Sequence, residues 1–153
     1  RLNELKIPVD CSHLNEKSFF EVAETAENVV CTHSAFAGVT GHCRNITDEQ
    51  IKTIIGKGGL VGLPFYSEFL RTGGGASEED VVRHTDYFVS KFGSDNLCIG
   101  TDFNGCEDFP DGYGNYGFGQ RLANALLRLG YKSAEIEKIL YKNLLTFLFA
   151  EKS

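Results

Sequence analysis

Residues 9–14, VDCSHL, begin as a buried strand and end in an acid, two small residues and a histidine. Ile7 and Val9 give the stretch its apolar start, and His13 stands near its end. Residues 28–36, NVVCTHSAF, repeat the pattern one unit later, with His33 following an apolar run. Two strands that are each followed by a histidine indicate a sheet with functional side chains at one edge.

Further along the chain, apolar runs alternate with helical patterns. Continuous apolar runs suit strands that are covered on both faces, as in parallel sheets. Such runs predict strands at about 6–11, 28–33, 59–65 and 96–101. Apolar spacing and capping residues predict helices over 16–27, from the Thr47 cap to about Ile55, from Ser77 to Gly93, over 118–129, and over 134–150. Asn15, Thr47, Ser77 and Ser133 are the expected caps.

This order predicts an α/β fold of four βα units around a parallel sheet. In such folds the carboxyl ends of the strands carry the active site. His13, His33, Tyr66 and Asp102 all fall at or just past predicted strand ends. We therefore expect these four side chains at one rim of the sheet.

Two histidines and an aspartate on one rim are the residue types of a hydrolytic zinc site. Neutral imidazole nitrogens bind the metal, and a carboxylate binds it or moves protons. A histidine near a strand end is more often a hydrogen-bonded structural residue, so spacing alone leaves both interpretations open. His84 lies on the inward stripe of a predicted helix and is interpreted as structural.

Composition narrows the class of partner. The chain has 153 residues and a net charge of −6, which disfavours nucleic acid and anionic membranes as partners. No apolar run is long enough to span a membrane. Five cysteines without a CxxC pair predict free thiols and a cytoplasmic location. The chain starts at Arg1 and has no methionine, so a fragment of a longer protein is expected.

Five motifs in order carry a resemblance to a known family. VDCSHL, CTHSAF, HCRNITDEQI, GGLVGLPFY and CIGTDFNG resemble those of the membrane (renal) dipeptidase family, across essentially the whole chain. The resemblance implies a dinuclear zinc peptidase on an amidohydrolase-type TIM barrel. Residues 1–153 would form its C-terminal half, strands five to eight of a (β/α)8 barrel, with an extra C-terminal helix.

The resemblance also implies roles for single residues. His13 and His33 match zinc ligands of one ion, out of two in the complete enzyme. Arg44 matches the arginine that grips the C-terminal carboxylate of the substrate, and Tyr66 is expected in the substrate pocket. Asp102 matches the aspartate that shuttles a proton while a metal-bound hydroxide attacks the peptide carbonyl. Asn104 departs from the family, which usually has a second aspartate there.

The expected function is zinc-dependent hydrolysis of dipeptides, provided that the N-terminal half of the barrel is supplied. The family's H-x-D pair, bridging glutamate and further pocket histidine lie in that half. The missing half is thus the expected partner, and pairing of two half-barrels in a homodimer is less favoured. The sequence also leaves two alternatives open. One is a non-catalytic half-barrel with a binding or structural role, and the other is a metal-dependent amidohydrolase that acts on another amide.

Overall fold

Strands and helices alternate along the chain in the computed structural model, which describes residues 1–149. The elements are β1 (Val9–Asp10), α1 (Glu16–Thr25), β2 (Val29–Val30), α2 (Asp48–Gly56), β3 (Val61–Leu63), α3 (Ser67–Leu70), α4 (Glu78–Phe92), β4 (Leu97–Ile99), α5 (Phe118–Arg128), α6 (Ser133–Glu137), a π-helical segment (Lys138–Lys142) and α7 (Asn143–Phe149). The predicted mixed α/β arrangement is confirmed.

The strands lie side by side in chain order and run parallel. β1 pairs with β2 and β3 pairs with β4. A parallel bridge between Cys31 and Val61 joins the two pairs, and the Gly62 N–H donates to the Cys31 carbonyl at 2.7 Å. The strands are shorter than predicted, because flanking residues such as Ile7 and Thr32 lie outside the paired register.

Both outer strands leave one edge unpaired within residues 1–149. β1 pairs only with β2, and β4 pairs only with β3. Large apolar side chains are exposed before β1 and on α7, namely Leu2, Leu5, Ile7, Leu144, Leu145, Leu148 and Phe149. Open edges and exposed apolar groups are a liability that closed barrels remove. This surface therefore suits contact with further polypeptide.

The helices bury apolar side chains against the sheet. Phe19, Ile51, Phe88 and Leu126 come from α1, α2, α4 and α5, and each is fully buried. The strand residues Val29, Val61, Leu63 and Leu97 are buried as well. Apolar burial of this kind contributes roughly 25 cal/mol for each Å² removed from water. This layer fixes the strand ends relative to one another.

Most predicted helix starts are confirmed. The Ser18 N–H donates to Asn15 Oδ1 at 3.0 Å, and Thr47 and Gln50 form a reciprocal capping box. The Ser77 N–H donates to Asp80 at 2.9 Å. The predicted Ser133 cap is wrong, because Ser133 is already helical and Lys132 precedes the helix. There the Lys132 N–H donates to Glu135, which satisfies the helix start instead.

The predicted helix over 134–150 is divided, and its last residue lies outside the described residues. A π-helical segment separates α6 from α7. Directly after it, the Asn143 amide donates to the carbonyls of Ser94 at 2.6 Å and Leu97 at 2.8 Å. Ile139, within the π-helical segment, and Asn143, which follows it, are both buried beside β4.

His84 is a structural residue, as predicted from its place on α4. The side chain is fully buried. Its Nδ1 accepts the Phe36 N–H at 3.3 Å, and its Nε2 lies 3.1 Å from the Leu70 carbonyl oxygen. Burial lowers the pKa of His84 to about 4. The neutral ring thus links the segment after β2 to the end of α3.

Acid should weaken the fold through His84. Its folded-state pKa is about 4, against 6.5 when exposed, so the unfolded chain binds more protons between these values. Stability is therefore highest above pH 6.5 and falls by about 3 kcal/mol as the pH drops to 4. Urea unfolding of wild type and His84→Gln across this range measures the effect. The variant should lose that part of the pH dependence, and equal slopes would contradict the assignment.

Two further features bear on the sequence predictions. All five cysteines have free thiols, and Cys11, Cys31 and Cys98 are buried. Within residues 1–149, no helix has both the length and the apolar character to cross a membrane.

Candidate metal and substrate site

Two imidazole rings face each other just past the ends of β1 and β2. The Nε2 atoms of His13 and His33 lie 2.7 Å apart, and the ring centroids are 4.6 Å apart. His13 is exposed and His33 is half-buried. Nitrogen atoms this close either share a proton or face a common cation. The structure thus brings together the two histidines that the sequence analysis selected.

A hydroxyl and a carboxylate stand behind His33. Thr32 Oγ1 lies 2.8 Å from His33 Nδ1 and donates to Asp10 Oδ2 at 2.6 Å. The second carboxylate oxygen, Asp10 Oδ1, accepts the N–H groups of Ser12 at 3.0 Å and Thr32 at 3.1 Å. Partial burial raises the pKa of Asp10, but these hydrogen bonds outweigh it and leave the pKa below its ordinary value. The carboxylate is therefore ionised at neutral pH.

Two of the predicted site residues have a left-handed backbone. His13 has φ of 69° and Asp102 has φ of 58°; within residues 1–149 the only other non-glycine with positive φ is Lys6. Such conformations cost about 1–3 kcal/mol each and persist where the surroundings enforce them. Backbone strain is common at functional sites. The two positive φ angles therefore indicate a functional site at this rim, independently of the residue types.

Arg44 reaches the rim beside His13. Its Nη1 donates to the backbone carbonyl of His13 at 2.9 Å, and its backbone N–H donates to His42 Nδ1 at 3.2 Å. The next residue, Asn45, donates to the carbonyls of Thr40 and Phe69, both at 2.8 Å. The loop is thus fixed on both sides, while the exposed guanidinium keeps further N–H donors for a ligand.

Tyr66 lies beyond Arg44 on the same rim. It directly precedes α3, a short helix that the sequence analysis did not predict. Its ring packs edge-on against Phe69 at 4.9 Å, and Phe69 in turn lies 4.9 Å from the His42 ring. A hydrogen bond with Glu68 raises the pKa of Tyr66 above its ordinary value. The hydroxyl therefore stays protonated, and aromatic packing relates Tyr66 to the Arg44 loop.

Asp102 follows β4 on a loop that turns back on itself. The Gly105 N–H and the Cys106 thiol donate to its backbone carbonyl at 3.0 and 3.3 Å. Within residues 1–149, the Asp102 carboxylate itself has no hydrogen-bond partner. Burial, followed by Asp102 and Asp108, raises the pKa of Cys106 to about 11, so that thiol stays neutral. The carboxylate is thus available to contact a ligand.

The charges around His13 connect these residues electrostatically. Burial lowers the pKa of His13, and His33 and Arg44 lower it further. Asp102 and Asp10 act in the opposite direction without cancelling the decrease. A neutral imidazole at pH 7 is the form that binds a metal ion. The charge of Asp102 thus influences the protonation of His13.

The donor set fits part of a metal site. Two imidazole nitrogens converge, one with its second nitrogen already hydrogen-bonded, as metal-binding histidines usually are. Among residues 1–149, no group of three or more histidine, cysteine, aspartate or glutamate side chains could hold a metal ion. Zinc takes four ligands, at least three of them from protein. A zinc ion at this position would therefore need further protein ligands from outside residues 1–149.

Thr32 is the site residue that the sequence analysis missed. Its carbonyl lies against the backbone of β3 and the residue after β4, where a Cβ on Gly62 or Gly100 would overlap the oxygen. These two glycines thus allow Thr32 to approach the neighbouring strands closely. In the sequence, the only available signal of this close approach was a glycine within or just after each of these two apolar runs. The contact between Thr32 and Asp10 depends on strand register, which the sequence does not give.

Comparison with known proteins identifies the family of this chain. The sequence profile of the membrane dipeptidase family (peptidase family M19) matches residues 1–151. An uncharacterized protein in the pqqA 5' region of Klebsiella pneumoniae is 37% identical over an alignment of 153 positions, which covers 97% of this chain and 56% of that protein. The dipeptidase ataJ of Aspergillus terreus is 31% identical over an alignment of 140 positions, which covers 90% of this chain and 34% of that protein.

A solved structure gives the same result. The metallo peptidase from Rhodobacter sphaeroides, liganded with a phosphinate mimic of the dipeptide L-Ala-D-Ala, superposes with a TM-score of 0.88 at 37% identity. The match covers 96% of this chain and 43% of that one. The chain thus spans about half the length of the Klebsiella protein and of the Rhodobacter peptidase. From its motifs, its fold and these similarities, the chain belongs to the membrane dipeptidase family, peptidase family M19.

Proposed function

We propose that this chain supplies one half of the active site of a zinc-dependent dipeptidase. The observation that carries the proposal is the 2.7 Å approach of the His13 and His33 Nε2 atoms at the ends of neighbouring parallel strands. His13 and His33 would hold one zinc ion of two. When bound, the metal supplies Lewis-acid chemistry, which acidifies water and stabilises negative charge on a peptide carbonyl oxygen.

The N-terminal half of the barrel is the proposed partner. The described part of the chain would correspond to strands five to eight of an eight-stranded barrel, and α6, the π-helical segment and α7 to the extra C-terminal helix. Support comes from the unpaired edges of β1 and β4 and from the exposed apolar residues beside them. The missing metal ligands would come from the first four strands. Pairing of two copies of this chain would instead give a symmetric dimer.

Arg44 would select short substrates with a free carboxyl terminus. Its guanidinium stands on the rim beside His13, with donors left for a carboxylate. A carboxylate held one residue beyond the scissile bond excludes long peptides. Tyr66, on the far side of the Arg44 loop, would contact the substrate beside that carboxylate. These positions favour a dipeptide over a longer chain.

Asp102 would move the proton. A general base must accept a proton from the attacking water, and the same group can pass it to the departing amine. Support comes from its unpartnered carboxylate, its constrained backbone and its influence on His13. Burial and the charges of His33 and Arg44 lower the pKa of His13, which favours the neutral imidazole that a metal ion binds and leaves the proton transfer to Asp102.

The test reconstitutes the barrel. This chain is co-expressed with the part of the Rhodobacter sphaeroides peptidase outside the matched region, giving what we call the reconstituted protein. We expect hydrolysis of L-Ala-D-Ala that chelation abolishes and Zn²⁺ restores, with a His33→Gln variant as the inactive control. A stable complex that binds zinc but cleaves no dipeptide would favour a binding role. Cleavage of different amides but not of dipeptides would favour another kind of amidohydrolase.

A further inference from the structure

We propose that Asp10 and Thr32 are positioning residues that fix the tautomer of His33 and so aim its Nε2 lone pair at the metal position. The proposal rests on the proposed function for its purpose, but its chemistry follows from the hydrogen bonds alone. Three groups form a chain of hydrogen bonds, called the relay below, in which Asp10 Oδ2 lies 2.6 Å from Thr32 Oγ1, and Thr32 Oγ1 lies 2.8 Å from His33 Nδ1.

The direction of the relay follows from counting protons. An ionised carboxylate only accepts, and a threonine hydroxyl has a single hydrogen to donate. That hydrogen goes to Asp10, at a distance normal for a hydroxyl on a carboxylate. Thr32 Oγ1 therefore meets His33 Nδ1 as an acceptor, and the ring proton must lie on Nδ1. The lone pair of His33 is left on Nε2, which points at His13.

His13 is not held in the same way. Within residues 1–149 its Nδ1 has no hydrogen-bond partner, and the side chain is exposed. Without metal, His13 Nε2–H can donate to the lone pair of His33 across the 2.7 Å gap. On binding a metal, His13 can move its proton to Nδ1 at the cost of one solvent contact. One ligand is thus fixed in advance and the second adapts.

Two backbone N–H groups determine how an amide side chain would be oriented in place of the Asp10 carboxylate. Asp10 Oδ1 accepts two N–H groups, from Ser12 and Thr32. In Asp10→Asn the amide oxygen must take that place, which puts the NH₂ group opposite Thr32 Oγ1. Thr32 then accepts from the amide and donates its own hydrogen to His33 Nδ1. The relay reverses, and the His33 proton moves to Nε2, where it blocks metal binding.

The experiment reads the tautomer directly. The full chain is labelled with ¹⁵N only in histidine, of which there are four, and metal-free long-range ¹H–¹⁵N spectra are recorded above the ordinary histidine pKa. His33 signals are assigned by their loss in His33→Gln. We expect the proton on Nδ1 in wild type and in Thr32→Ser, which keeps the hydroxyl, and on Nε2 in Asp10→Asn. Thr32→Val should lose the Nδ1 preference and is a second test if Asp10→Asn does not fold.

A Zn²⁺ titration of the same variants in the reconstituted protein, which holds both halves of the site, separates this proposal from the proposed function. Loss of a hydrogen-bond partner that orients a metal-binding histidine typically lowers metal affinity about 10- to 100-fold. We expect that decrease in Asp10→Asn but not in Thr32→Ser. An Nε2 proton on His33 in wild type, or an unchanged tautomer in Asp10→Asn, would overturn the relay. The expected tautomers without any Zn²⁺ binding by wild type would leave the relay standing and contradict the zinc site instead.

Discussion

Replacing Asp102 by asparagine in the reconstituted protein should lower kcat by about 10²–10⁴-fold and change KM little, with zinc still bound. The range is the usual contribution of general acid–base catalysis. An amide cannot accept a proton from water, whereas the unpartnered carboxylate of Asp102 can. Asparagine tolerates a left-handed backbone about as well as aspartate, so the φ of 58° should persist. The measurement pairs kcat with zinc stoichiometry on the same preparation.

Glu107→Gln is the matched control, because it removes one negative charge from an exposed position on the same loop. Near-normal turnover of Asp102→Asn with full zinc would exclude the proton shuttle. Loss of zinc would make Asp102 a metal ligand. A decrease in stability alone, with kcat per folded molecule unchanged, would make it a structural residue.

Replacing Arg44 by alanine should raise KM for a dipeptide by about 10- to 150-fold. A charge-assisted hydrogen bond contributes roughly 1.5–3 kcal/mol, which corresponds to that range. The comparison substrate is the dipeptide amide, which lacks the carboxylate. Wild type should bind it as poorly as the variant does. An equal defect of Arg44→Ala on the free acid and on the amide would contradict a role in carboxylate binding.

Arg44 also has a structural contact that the variant removes. Its Nη1 donates to the carbonyl of His13, so alanine could loosen a metal ligand as well as a substrate contact. Zinc stoichiometry of Arg44→Ala distinguishes the two effects. We expect it to stay at the wild-type value, because the pairing of β1 with β2 still holds the chain that leads into His13.

The sequence predicted the elements that depend on local pattern. Alternating apolar runs gave the four strands, and caps such as Asn15 and Thr47 gave the helix starts, because both signals lie within a few residues. Histidines at equivalent strand ends gave the facing rings of His13 and His33. The roles of these residues, and of Arg44, Tyr66 and Asp102, stay predictions until activity is measured.

Features that depend on tertiary contacts were not predictable. The π-helical segment exists where Ile139 and Asn143 both reach β4, and α3 is a single turn held beside the Arg44 loop. The bond between Thr32 and Asp10 needs the strand register as well as the residue types. Such features follow from packing between distant segments, for which a single sequence has no direct signal.

Bound zinc in the reconstituted protein tests the central claim, that His13 and His33 hold one common ion. Zinc per complex is measured at a free concentration that saturates wild type, for wild type, His13→Gln, His33→Gln and the double variant. We predict two equivalents in wild type and the loss of one equivalent in all three variants. Single variants that keep both equivalents, or a double variant that loses more zinc than either single variant, would contradict the shared site.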